Sequence, residues 1–182
     1  MGTKISKPAA KPSRLELTAY HEAGHAVVSV LERRPIIAVT IEPDGEYLGR
    51  VLNSPMGKSF QPEIDSGRRT RSLIEAEIRI CFAGCLAESK RVGREVRAGA
   101  EQDLDVAANL ATYATGSVEE TSAYLEWLMV ATRQLIAQKH HWKAIETLAA
   151  QLVLQTTLSG RAAKKVIIAA AFPKIDLSQI LK

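Results

Sequence analysis

The chain has 182 residues, 46% of them hydrophobic and 24% charged, which is enough for one domain with a buried core. The formal net charge of +4 comes largely from the N-terminal stretch MGTKISKPAAKPSR, and no aromatic residues interleave with these basic ones, so nucleic-acid binding is not indicated. No apolar run is long enough to span a bilayer and no signal-peptide core is present, so we expect a soluble, cytoplasmic protein without a membrane partner.

The first predicted element is a helix at residues 14–33. Residues 1–13 are rich in Lys, Ala and Pro, so we expect a flexible N-terminal tail followed by one domain at 14–182. Ser13 and Glu16 match a capping box, in which Ser13 caps the helix and the Glu16 side chain reaches back to the cap. A proline shortly after the helix is expected to end it.

A small sheet and further helices are predicted after this helix. A run rich in β-branched residues at 36–41, the turn sequence PDG and a second run at 47–52 predict a hairpin or part of a small sheet. A polar loop follows at 53–69, and apolar residues at helical spacing predict the remaining helices. These are expected at residues 70–91, 101–116, 118–141, 143–157 and 161–171. The fold class is therefore mainly α with a small β-sheet (α+β).

The sequence HEAGH at residues 21–25 carries the clearest chemical signal. On a helix, His21 and His25 lie on one face and can direct both imidazoles at one point. Neutral imidazole suits zinc, and Glu22 beside them is a candidate base for a metal-bound water. H-E-x-x-H arises by chance in roughly one chain in a few hundred. Because it lies here within a capped, apolar helix, a metal site is favoured over two surface histidines.

A catalytic zinc site normally has three protein ligands, so a further ligand must come from elsewhere in the chain. In the helix at 101–116, Asp103 falls on the apolar side, whereas Asp105 falls on the polar face. Asp103 is therefore either a metal ligand or a cap of the helix N-terminus, and the residues alone leave these alternatives equal. Glu88 is a second candidate, as a ligand, as a hydrogen-bond partner of a ligating histidine, or as a solvated side chain.

The other histidines and both cysteines are expected to be structural. Cys81 and Cys85 lie four residues apart on one predicted helix, which is a poor arrangement for a mutual disulfide, and are interpreted as buried small side chains. His140 and His141 lie near a predicted helix junction and are expected to pack or to face solvent.

Five stretches, in order along the chain, resemble the protease domain of FtsH, the membrane-anchored AAA zinc protease of bacteria and organelles. They are AYHEAGHAVV, VTIEPDGEYLG, FAGCLAESKRVG, GAEQDL and AIETLAAQLVLQTTLSG, within residues 17–160. The second is similar to the family's VTIIPRG-x-ALG strand and turn, and the third to GGRAAEE-x-x-FG, with Glu88 at the first glutamate. The fourth matches GA-x-x-DL, whose aspartate is the family's third zinc ligand.

The resemblance implies an FtsH-peptidase-like fold that binds one Zn2+ per chain. His21, His25 and Asp103 would bind the zinc. Glu22 would be the general base, which deprotonates the attacking water, so the implied activity is that of a zinc metalloendopeptidase. Ligand types also favour zinc over iron, cobalt or manganese.

The resemblance also bears on the substrate and the partners. The strand around Tyr47, Leu48 and Gly49 would offer its edge to an extended polypeptide substrate. No G-x-x-x-x-G-K-[ST] motif is present and the segment after Leu110 is shorter than in the family. We therefore expect a stand-alone peptidase, ATP-independent in itself, that hydrolyses flexible or unfolded polypeptides or receives substrate from a separate ATPase or adaptor partner.

A different class of function remains open beside the peptidase. The chain could be a catalytically silent zinc-binding adaptor or regulatory module. The presence of Glu22 opposes this alternative, because a purely structural zinc site needs no base and is usually closed by four protein ligands. A homo-oligomer is compatible with the sequence.

Overall fold

The structure is a computed structural model, and it describes residues 12–45, 47–96 and 99–172. Its elements are α1 (Arg14–Leu31), β1 (Ile36–Thr40), β2 (Arg50–Asn53), α2 (Arg68–Val92), α3 (Glu101–Thr112), α4 (Val118–Ala137), α5 (Lys139–Gln155), β3 (Thr157–Ser159) and α6 (Gly160–Ala171). The predicted class, mainly helical with one small sheet, is confirmed. Nearly all of the predicted N-terminal tail lies outside the described residues.

Helix α1 begins as the capping sequence predicts, but its acidic residue has another partner. Ser13 Oγ accepts a hydrogen bond from the Glu16 backbone N–H at 3.2 Å. The Glu16 carboxylate does not serve the cap as predicted, since its Oε1 accepts hydrogen bonds from Arg91 at 2.6 and 3.1 Å. This ion pair joins the start of α1 to the end of α2.

Helices α1 and α2 pack closely because small residues lie where they cross. A Cβ added at Gly24 of α1 would lie 2.4 Å from the Ala83 carbonyl oxygen of α2. Ala19, Ala23 and Val27 of α1 are fully buried as well. The close approach of the two backbones sets the position of every side chain that α1 directs at α2.

The sheet is antiparallel, with β1 between β2 and β3. Val39 in β1 pairs with Val51 in β2 and with Leu158 in β3, and β2 forms an outer edge. The predicted strand at 47–52 begins later than expected, because Asp44 and Tyr47 close a separate two-residue turn before β2. Strand β3 has only three residues and lies at the end of a predicted helix, so no periodicity indicated it.

The boundary between α4 and α5 lies earlier than the prediction placed it. Gln138 has an extended backbone conformation, with φ −58° and ψ 134°, and flanks both helices. His141 Nδ1 lies 2.7 Å from the Leu135 carbonyl oxygen in the last turn of α4 and can donate a hydrogen bond to it. Within the described ranges, no helix is long and apolar enough to cross a membrane.

Candidate metal centre

Two helices bring three candidate ligands together. His21 and His25 project from α1, and Asp103 projects from the first turn of α3. Asp103 Oδ2 lies 3.3 Å from His21 Nε2 and 3.1 Å from His25 Nε2. Among the described residues, these three form a group whose ligand atoms all lie within 4.8 Å of one another. The site thus combines two imidazole nitrogens with one carboxylate oxygen.

The second ring nitrogen of each histidine has its own partner. His21 Nδ1 lies 3.4 Å from Glu88 Oε2, and His25 Nδ1 lies 2.7 Å from the Ile80 carbonyl oxygen. Both partners belong to α2. If each Nδ1 carries the proton and donates it to these oxygens, each Nε2 is left as a free ligand atom facing Asp103.

Gly84 of α2 provides the space into which both rings point. A Cβ at this position would lie 2.3 Å from His25 Nε2 and 2.7 Å from His21 Nε2. Two ligands bound tetrahedrally to zinc at about 2.0–2.1 Å are separated by roughly 3.3 Å, which agrees with the distances from Asp103 to the two histidines. The donor set, its spacing and the missing side chain at Gly84 therefore fit a zinc ion.

The charges around the cluster favour a cation. Burial lowers the pKa of His21, but its contacts with Asp103 and Glu88, together with the negative charges of Glu22 and Asp103, outweigh this effect and raise the pKa to about 10. Burial raises the pKa of Asp103, yet its hydrogen bonds with both histidines hold the pKa well below its usual range. The carboxylates around the histidines thus stabilise positive charge between His21, His25 and Asp103. A divalent ion bound there would carry such a charge.

Glu22 lies beside this cluster and is 5% exposed. Burial raises the pKa of its carboxyl group, and the nearby His25 and His21 oppose the rise. Gly49, just before β2, packs directly on this residue, because a Cβ at Gly49 would lie 2.9 Å from Glu22 Cγ. The close backbone approach holds the Glu22 side chain between α1 and the segment that leads into the sheet.

The cluster opens into a cavity of about 570 Å³. Its walls come from α1, from the segment that continues into β2, from α2 and from the start of α3. The lining includes the three candidate ligands, Glu22 and Glu88, and also Tyr47, Leu48 and Gly49. All the residues singled out by sequence as candidate ligands, base or substrate strand therefore lie around one space.

The surroundings of Asp103 and Glu88 bear on the alternatives that the sequence left open for them. The N-cap residue of α3 is Ala100, so Asp103 is not the cap, and its carboxylate faces the histidines. Glu88 contacts His21 but does not belong to the three-residue group. Sequence reasoning missed Gly84 and the Ile80 carbonyl group, since neither a glycine in a helix nor a backbone oxygen signals a ligand contact.

Cys85, His140 and His141 lie where the sequence predicted, whereas Cys81 is only partly buried and lines the cavity. Cys81 and Cys85 are free, and burial raises the pKa of their thiols to about 12 and about 11, so they stay protonated near neutral pH. His140 is exposed, and His141 is buried at the start of α5. Neither histidine is part of the candidate metal group.

Comparison with known proteins shows similarity to one family. Residues 9–117 match Peptidase family M41. An "ATP-dependent zinc metalloprotease FtsH" of Haemophilus influenzae is 40% identical over 99 residues, which are 53% of this chain and 14% of that protein. The protein of the same name from Rickettsia bellii is 36% identical over 114 residues, 61% of this chain and 17% of its own length.

A plant protein is also similar to this chain. The "ATP-dependent zinc metalloprotease FTSH 11, chloroplastic/mitochondrial" of Arabidopsis thaliana is 32% identical over 120 residues, which are 64% of this chain and 14% of that protein. The chain thus spans 14% to 17% of the length of these three relatives. The matched region is therefore a small part of each of these three relatives.

Proposed function

Because the chain belongs to peptidase family M41, we propose that it is a zinc metalloendopeptidase that hydrolyses flexible or unfolded polypeptides. The family resemblance predicted from the sequence is confirmed. The proposal depends above all on one observation, that the ligand atoms of His21, His25 and Asp103 lie within 4.8 Å of one another. Glu22 lines the same cavity.

In this proposal each side chain of the cluster has a separate task. His21 and His25 bind zinc through Nε2, and Asp103 binds it through a carboxylate oxygen. Zinc, when bound, supplies a Lewis acid and lowers the pKa of a water molecule to about 7. The Ile80 carbonyl oxygen accepts a hydrogen bond from His25 Nδ1, and the Glu88 carboxylate lies 3.4 Å from His21 Nδ1, so that each ring is oriented by an oxygen of α2.

Glu22 is the proposed general base. Its carboxylate takes a proton from the attacking water and then delivers that proton to the amine nitrogen of the leaving fragment. Burial between α1 and Gly49 keeps the group next to the histidines and away from bulk solvent. A silent zinc-binding module would need no buried carboxylate at this place, so the position of Glu22 favours the peptidase over the adaptor.

The proposed substrate is an extended polypeptide. Strand β2 is an outer strand of the sheet and, with Leu48 and Gly49 before it, contributes to the cavity wall. An extended chain could add to this edge by backbone hydrogen bonds, which are independent of side-chain identity. Such a mode requires a segment that is already unfolded, and a separate ATPase or adaptor partner could supply it.

This function is tested by cleavage of unfolded casein without ATP. We expect the zinc-loaded protein to release fragments, to lose the activity when a chelator removes the metal, and to regain it when zinc is added back. Activity that survives complete removal of the metal would contradict the proposal. So would the absence of any cleavage by a protein that carries one zinc per chain.

A further inference from the structure

Tyr47 and Gln102 face each other across the opening of the cavity. Tyr47 lies between β1 and β2, and Gln102 precedes the candidate ligand Asp103 in α3. Gln102 Nε2 donates a hydrogen bond to the Tyr47 hydroxyl oxygen at 3.1 Å, and both residues line the cavity. This hydrogen bond joins two walls of the cavity that are 55 residues apart in the chain.

The backbone of Tyr47 is fixed by a turn of its own. Its N–H donates to the Asp44 carbonyl oxygen at 3.2 Å, and its carbonyl oxygen accepts from the Asp44 N–H at 2.9 Å. Gly45, within the turn, has a φ of 61°, a conformation that glycine adopts without strain. Both backbone groups of Tyr47 are thus in use, so its contribution to ligand binding must come from the side chain.

The Tyr47 side chain is large, fixed and yet not part of the core. It is 40% exposed, and the neighbouring Leu48 is 44% exposed. Two residues further on, Gly49 packs against Glu22, and both Tyr47 and Glu22 line the cavity. A single exposed aromatic residue needs no explanation, but this one borders the proposed catalytic cavity and is tethered to the element that carries Asp103.

We propose that Tyr47 is a substrate-positioning residue, whose ring, held by Gln102, packs against an apolar side chain of the bound polypeptide. The inference rests on the proposed function and adds a side-chain preference to it. Extended substrates with a large apolar or aromatic residue at this point bind more tightly than those with a small or charged one. The Gln102 hydrogen bond holds the ring in place before the substrate arrives.

Binding, measured without cleavage, tests this role. In a zinc-loaded Glu22→Gln background, the dissociation constant for fluorescein-labelled β-casein is measured by fluorescence anisotropy. We expect Tyr47→Ala to weaken binding by about 3- to 10-fold. Tyr47→Phe and Gln102→Ala should each weaken it by about 2-fold, and the double variant should be no weaker than either single one, because both remove the same hydrogen bond.

Trp127→Ala is the matched control. Trp127 is an aromatic residue of α4 with 54% exposure that does not line the cavity, so its loss should leave the dissociation constant unchanged. Zinc affinity should be the same in all these variants. The proposal is overturned if Tyr47→Ala binds casein as tightly as the Trp127→Ala control, or if Tyr47→Ala loses zinc.

The second measurement is of KM and kcat for casein cleavage, with Tyr47→Ala compared with the wild type and Glu22 retained in both proteins. Tyr47→Ala should raise KM while kcat stays within about 2-fold, as expected when ground-state and transition-state binding are lost equally. A fall in kcat with an unchanged KM would overturn the positioning role. If the wild-type protein cleaves nothing, the proposed function fails, whereas the anisotropy measurement still decides whether Tyr47 binds a polypeptide.

Discussion

Asp103 Oδ2 lies 3.3 Å from His21 Nε2, although 82 positions separate the two residues in the chain. The contact exists because α3 begins next to α2, against which α1 is already packed. Because this carboxylate contacts two imidazoles and does not cap its own helix, we propose that it serves as a metal ligand. Substitution of single residues around the cluster tests this role.

Asp103→Asn should abolish tight zinc binding while the fold is retained. The substitution keeps the shape of the side chain but removes the negative charge that a third ligand provides. We expect zinc affinity to fall by more than 100-fold, measured by competition with a chromophoric chelator. Asp105→Asn, an exposed position on the same helix, is the control and should bind zinc as the wild type does. Equal affinities of the two variants would contradict the assignment.

Glu88→Gln should weaken zinc binding without abolishing it. The carboxylate lies 3.4 Å from His21 Nδ1, and a partner of this kind raises the basicity of the ligating ring. Losing such a partner typically costs about 10- to 100-fold in metal affinity. The same titration on Glu126→Gln, an exposed glutamate of α4, should show no change. A complete loss of zinc from Glu88→Gln would instead make Glu88 a ligand.

Gly84→Ala should damage the metal site more than the fold. Alanine favours a helix by about 1 kcal/mol over glycine, so the helical content of α2 should persist. The new Cβ would lie 2.3 Å from His25 Nε2 and must displace the ring. We expect zinc affinity to fall at least about 10-fold with an unchanged far-ultraviolet circular dichroism spectrum. Gly57→Ala, where a Cβ meets no atom closer than 3.8 Å, should change neither quantity.

His141 should make the fold less stable as the pH falls. Burial lowers the pKa of this histidine below its usual 6.5, so below about pH 6.5 the unfolded chain takes up a proton that the folded chain resists. In metal-free protein, the free energy of unfolding should therefore drop more between pH 7.5 and 5.5 in the wild type than in His141→Asn. Urea titrations at the two pH values measure this difference. An equal drop in both proteins would show that His141 does not contribute.

Much of the fold and the centre of the site could be predicted from the sequence. Helical periodicity and a capping serine located α1, and the H-E-x-x-H spacing identified both histidines and Glu22. The row of apolar residues beside Asp103 marked that carboxylate, but the family resemblance was needed to prefer a ligand over a cap. These features are local, because the residues that define them lie within a few turns of one helix.

The remaining features depend on contacts between distant parts of the chain. Strand β3 is three residues long and exists because β1 offers it an edge, so no repeat in its own sequence reveals it. The role of Gly84 appears only when α1 lies across α2. The Tyr47–Gln102 contact likewise needs the turn before β2 and the start of α3 to face one another. Sequence periodicity does not reveal contacts between residues that are far apart in the chain.

The zinc peptidase mechanism is tested most sharply by a paired measurement on wild type and Glu22→Gln, in which bound zinc per chain and casein cleavage are determined on the same preparations. We expect about one zinc per chain in both proteins and a loss of cleavage by a factor of about 100 or more in the variant, because only the proton acceptor is removed. Cleavage by Glu22→Gln at the wild-type rate, or a wild type that binds no zinc when zinc is plentiful, would contradict it.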